Sequence, residues 1–154
     1  MKTIRSLLPF IFFIATIPTA LSQKYKTSAD TFKLNKEYAE VAADIASLSS
    51  KLNEAQNDLP GYRNKAADKV DDAQKTAIKS NEQSTKAIDG DVGDARKAKK
   101  KAKKALRDAK DVSEANNKVE SQEKKIAKLS SQLQKKQERL QELEEMRTRI
   151  RNGN

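Results

Sequence analysis

The chain has 154 residues, carries 32 Lys and Arg against 22 Asp and Glu for a formal charge of +10, and has no His, Cys or Trp. With 36% apolar and 35% charged residues, it holds too few large apolar side chains for a globular core of ordinary size. Lacking His and Cys, it has neither the commonest general base nor the best thiol nucleophile, and no disulfide can brace it. An enzyme is therefore not expected, and no cofactor or metal is implied.

Gly and Pro are scarce, while Ala, Lys, Glu, Gln and Leu dominate, a bias that favours long helices over sheets and loops. Disorder is the competing reading of so polar a chain. Regular apolar spacing decides against it.

The first 22 residues stand apart. Lys2 and Arg5 open the chain, Ser6 to Pro18 is an apolar run, and Ala20-Leu21-Ser22 puts small residues at the −3 and −1 positions before Gln23. That order predicts a secretory signal peptide, removed in the mature protein. The apolar stretch is roughly sixteen residues, short of the about twenty that span a bilayer, and Pro9 and Pro18 interrupt it. No Cys is present to take a bacterial lipid anchor. Cleavage would remove Lys2 and Arg5 from the 32 basic residues and none of the 22 acids, leaving a net +8 on residues 23–154. The expected location is exported, periplasmic or extracellular.

Ser28, Asp30 or Thr31 can cap a first helical segment. Its apolar stripe is Leu34, Tyr38, Val41, Ile45, Leu48, Leu52, Ala55 and Leu59, with spacings that alternate 4 and 3 without a fault. That is a coiled-coil seam. Pro60-Gly61 is expected to interrupt this arm as a kink or short break.

A second segment, from about Tyr62 to Ile88, continues with smaller residues: Val70, Ala73, Ala77, Ser80, Ser84 and Ala87. Asp89-Gly90-Asp91-Val92-Gly93-Asp94 then forms the strongest turn signal in the chain. Asp91 or Asp94 would cap the helix that follows. As a calcium loop this stretch fails. With Asp89 first, Asp94 takes the sixth position, where Gly belongs, and Lys100 the twelfth, where Glu belongs.

The third segment runs from about Asp94 to Ile150 without Pro or Gly. Ala98, Ala105, Val112, Val119, Ile126, Leu133 and Leu140 recur every seven residues. Their expected companions are Ala95, Ala102 and Ala109, then Leu129, Leu143 and Ile150. Asn152-Gly153-Asn154 reads as a frayed end.

Folding the chain near 89–94 matches sizes across the gap. Ala77 falls near Ala105 and Ser84 near Ala98; farther out, Leu59 meets Ile126, Leu52 meets Leu133, Ile45 meets Leu140 and Val41 meets Leu143. Small residues let helices approach closely, and leucines hold them wider. The fold class expected is all-α, a long antiparallel coiled-coil hairpin spanning residues 23–154, about 85 Å long at 1.5 Å per residue. Two hairpins pairing into a homo-oligomer through helix packing is left open.

Ser121-Gln122-Glu123-Lys124 has a bare S-x-x-K spacing, with no glycine loop or oxyanion donors beside it, and reads as an exposed helix face. One feature rises above background. Arg96, Lys97, Lys99, Lys100, Lys101, Lys103, Lys104, Arg107 and Lys110 are nine cations in fifteen residues, with Asp108 as the only acid among them. A solvated face is the plain reading. The functional one is a basic collar beside the turn that meets an anionic partner. Missing aromatic residues and the export signal argue against nucleic acid. An anionic envelope surface or an acidic protein fits better. Alanine on the seam opposite the lysines implies adsorption without insertion.

The resulting expectation is a structural or interaction protein of the cell envelope. In its size, basic charge and helical arms the chain resembles in architecture the Skp family of periplasmic chaperones, which implies a holdase as the alternative. That family also has a small β-strand body, and no stretch after Ser22 reads as a strand.

Overall fold

The computed structural model describes residues 30–152. The expected signal peptide, the Ser28 cap and the end at Gly153-Asn154 lie outside them. Two helices account for nearly all the described chain: α1, Thr31–Lys86, and α2, Val92–Asn152. They pack against each other along their length. Cross-arm bonds fix the direction, because Tyr38 meets Glu144, Arg63 meets Glu123, and Lys69 meets Asp111. As one number rises the other falls, so the arms are antiparallel. The chain is a helical hairpin.

The core lies at the open end. Leu34, Val41, Leu143 and Met146 are buried together, flanked by Tyr38, Ile45, Leu140 and Ile150. The expected neighbours Val41, Ile45, Leu140 and Leu143 thus share one cluster, and the register has not slipped by a heptad.

Pro60 does not end the first arm. α1 passes through it as one helix, so of the kink or short break expected there the break does not occur. Proline removes one backbone bond and crowds the carbonyl four residues back. Here Pro60 is exposed and nothing lies where a Gly61 side chain would project, so water can serve the freed carbonyl. The seam meanwhile runs from Leu59 to Tyr62 to Ala66 in unbroken 3 and 4 steps, and packing along it holds the helix across the proline.

Beyond Pro60 the seam follows a different line from the one its apolar residues suggest. Ala73, Ser80 and Ala87 do face α2, as do Ala98, Ala105, Val112 and Val119 of the facing arm. Val70, Ala77 and Ser84 are exposed, and so are Ala95, Ala102 and Ala109. Their places on the seam are taken by Thr76 and Gln83, both buried, in α1 and by half-buried Asp94, Lys101 and Asp108 in α2; Lys69 keeps the same spacing but is exposed. The leucine half fixes which side of each helix faces inward, and a seven-residue repeat carries that choice to the turn whatever residue stands there. The Thr76 hydroxyl lies within hydrogen-bond distance of the Asp108 carboxylate and its own helix's Asp72 carbonyl. Farther out, the Gln122 amide donates to the Ala55 carbonyl at 2.7 Å. These bonds satisfy polar groups that burial would otherwise penalise.

The turn is closed by its own residues. Ala87 N–H bonds back to the carbonyls of Gln83 and Ser84, and Lys86 sits in the last turn, at the negative end of the dipole. A side chain at Gly90 would lie 2.8 Å from the Lys86 carbonyl, so only glycine fits there. Asp91 caps α2: its Oδ1 accepts the Asp94 N–H at 3.0 Å. Asp94 in turn holds Lys97 at 3.1 Å.

Candidate functional site

All nine collar residues lie in the first part of α2, immediately after the turn. Arg96, Lys97, Lys99, Lys100, Lys103, Lys104, Arg107 and Lys110 are exposed, whereas Lys101 is half-buried on the seam. Lys97 is paired with Asp94. Among the described residues, no ion pair holds the other eight.

The open end is different. Arg139 is pinned between Glu37 at 2.6 Å and Glu142 at 2.7 Å, and Lys136 meets Asp44 at 2.6 Å. Partial burial works against the Arg139 cation, but its hydrogen bonds to Glu142 and Glu37 outweigh that and raise its pKa. The collar lacks such partners because of what α1 places opposite it. From Ala73 to Ala87, α1 has a single acid, Glu82, and adds Lys75, Lys79 and Lys86. Sequence reasoning confined to the run on α2 missed these three. Only the pairing of the arms shows that the turn end is cationic on both.

A groove of about 270 Å³ lies between the arms at the inner edge of the cationic stretch. It is lined by Lys69, Lys75, Thr76, Lys79 and Lys104 together with Asp72, Asp108 and Asp111. Lys69 donates to Asp111 at 3.2 Å, a bond that raises the lysine's pKa. Lys75 is held by Asp71 at 3.5 Å. From there to the turn, cations outnumber acids on both helices.

The remaining sequence candidate is Ser121 with Lys124. Ser121 is exposed, and Lys124 is engaged with Glu120, whose carboxyl it holds below its ordinary pKa. Among the described residues, no helix is long and apolar enough to cross a membrane. Compared with known protein families, curated proteins and solved structures, the chain matches none of them. Chemically, the arrangement offers a concentration of exposed cations near the turn of a helical hairpin.

Proposed function

We propose that this is an exported, non-catalytic coiled-coil protein whose turn end docks on an anionic partner in the cell envelope. The observation that carries the reading is the row of eight collar cations with no ion-pair partner among the described residues, joined by Lys79 and Lys86 of the facing arm. Like charges three and four residues apart each cost the helix a few tenths of a kcal/mol. Gln or Glu would serve helix propensity as well. An anion that neutralises the row offsets this repulsion. The leader-like first 22 residues support an envelope location. The Skp-like alternative rests on size, basic charge and helical arms, and the described residues include no strand from which arms would project.

Replacing Lys99, Lys100, Lys103 and Lys104 by Gln tests the proposal. These side chains are exposed, so the melting temperature should stay the same or rise slightly. At about 1 kcal/mol for each cation near a charged surface, loss of the four should weaken low-salt binding to anionic membranes by roughly a thousandfold. The difference should vanish as salt approaches 1 M, where the screening length is about 3 Å. Equal binding by parent and variant to every anionic target at low salt would make the collar a solvated face.

A further inference from the structure

Charge is only part of what the turn end exposes. Of the large apolar side chains left open to solvent among the described residues, Val70, Ile78, Ile88, Val92 and Leu106 lie in the half of the hairpin nearer the turn, and Phe32 lies at the open end. Ile88 is 78% exposed, Val92 71% and Leu106 67%.

The side on which most of them lie follows from one ion pair. Arg63 and Glu123 bridge the arms at 2.7 Å and so mark one edge of the seam. Steps of seven from Arg63 reach Val70, Ala77 and Ser84; steps of seven back from Glu123 reach Asn116, Ala109, Ala102 and Ala95. In a heptad coiled coil such steps stay on one side. Val92, Lys99 and Leu106 each stand three residues before an alanine of that row and form its outer neighbour on α2. Arg96, Lys103 and Lys110 lie one row farther out. The opposite edge is marked by the bridge between Arg139 and Glu37. Steps of seven along it lead to Asp72, Lys79 and Lys86 on α1 and to Asp111, Lys104 and Lys97 on α2. One side of the turn half is mostly charged. The other is small, apolar or uncharged apart from Lys99; cations border it on α2, Gln74 and Asn81 on α1, and Asp89 and Asp91 adjoin Ile88 and Val92 at the tip.

We infer that this second side rests on an anionic phospholipid bilayer, with Val92, Leu106 and the tip residue Ile88 entering the interface while Arg96, Lys99, Lys103 and Lys110 meet the lipid phosphates. This rests on the proposed function and names its partner. A soluble polyanion would engage the cations and leave the apolar side chains in water, and an acidic protein would have to supply a matching apolar patch as well. A bilayer surface accepts both at once, because its phosphates overlie its hydrocarbon. The docking is peripheral.

The test uses the protein expressed from its full sequence and purified in its processed form. Its binding is measured to vesicles of one part phosphatidylglycerol to two parts phosphatidylcholine, to pure phosphatidylcholine vesicles and to polyglutamate. The parent should prefer the anionic vesicles. A variant with Ile88→Ser, Val92→Ser and Leu106→Ser should bind them about tenfold more weakly, with polyglutamate binding and melting temperature unchanged. If this variant binds the vesicles like the parent while the four-Gln variant does not, the apolar contact is refuted and the anionic partner stands. If the parent binds neither vesicles nor polyglutamate, both readings fail. If sedimentation shows the parent self-associating without lipid and the Ser variant not, the face is a self-interface and the inference is overturned.

Discussion

At the open end of the hairpin Leu34 and Leu143 are fully buried and Val41 and Met146 nearly so, with Arg139 and Lys136 clasping acids across the seam. Near the turn the equivalent positions hold Thr76, Gln83, Lys101 and Asp108, and the intervening residues are alanine and serine. The heptad is the same, but the apolar area it removes from water is much smaller, and burial of such area is the main favourable term. Cations without partners add repulsion at the turn end. One half thus buries the apolar core and the other exposes most of the cations. A helical hairpin can hold both because each heptad packs mainly on its immediate neighbours.

The largest effect that would sharpen this contrast comes from the core. Leu143→Ala should cost about 2–5 kcal/mol, read as a fall in the thermal or urea midpoint, and Leu143→Asp should unfold the open end outright. Val70→Gln, at a position that looks like core in the sequence, should stay within about 0.5 kcal/mol because the side chain is exposed. Equal losses for Leu143→Ala and Val70→Gln would break the assignment of the seam.

A smaller effect is expected where the seam is polar. Thr76→Val leaves Asp108 without its cross-arm donor and should cost about 1–2 kcal/mol. Adding Asp108→Leu removes the stranded carboxylate as well, and the pair should return to parent stability or exceed it. If the double variant is less stable than Thr76→Val alone, the polar layer contributes net stability and the two halves are more alike than described.

The smallest effect is a titration. The Tyr38 hydroxyl donates to Glu144 at 3.0 Å, and that bond, with the glutamate's charge, raises the phenol's pKa. Lys69 is raised in the same sense by its bond to Asp111. Both groups hold their protons more tightly folded than unfolded. Their contribution is complete below the ordinary values of about 10 and is lost as pH climbs through the raised folded ones. Melting temperatures should therefore sag above about pH 10. Glu144→Gln should flatten the part of that loss that arises at the open end, and Asp111→Asn the part nearer the turn. A sag that persists in the double variant would mean that other groups cause it.

Much of the hairpin was legible in the sequence. Leucine, isoleucine and valine at alternating spacings of 3 and 4 leave little choice of face, so the open-end neighbours Val41, Ile45, Leu140 and Leu143 were readable. The Asp-Gly run likewise named its turn. Near the turn, hydropathy pointed one row aside, to Val70 and Ala77 and to Ala102 and Ala109, since the true seam positions there are Lys, Thr, Gln and Asp. Alanine is small enough to sit on either row, so local composition does not choose; the phase carried from the leucine half does. Of the kink or short break expected at Pro60, the break does not occur for the same reason, because cooperative packing outweighs a local preference. The nine cations were plain in the sequence. That Lys79 and Lys86 join them, and that Val92 and Leu106 are exposed beside them, depends on how the arms pair.

Amide hydrogen exchange along the whole chain, with and without phosphatidylglycerol-containing vesicles, tests the division of labour most directly. The free protein should exchange slowly across residues 34–52 and 133–146 and faster across 66–112, in line with their unequal burial. Vesicles should slow exchange in the second region and leave the first unchanged. A turn end that is as well protected as the open end in the free protein, or vesicle protection that appears at the open end, would contradict the account.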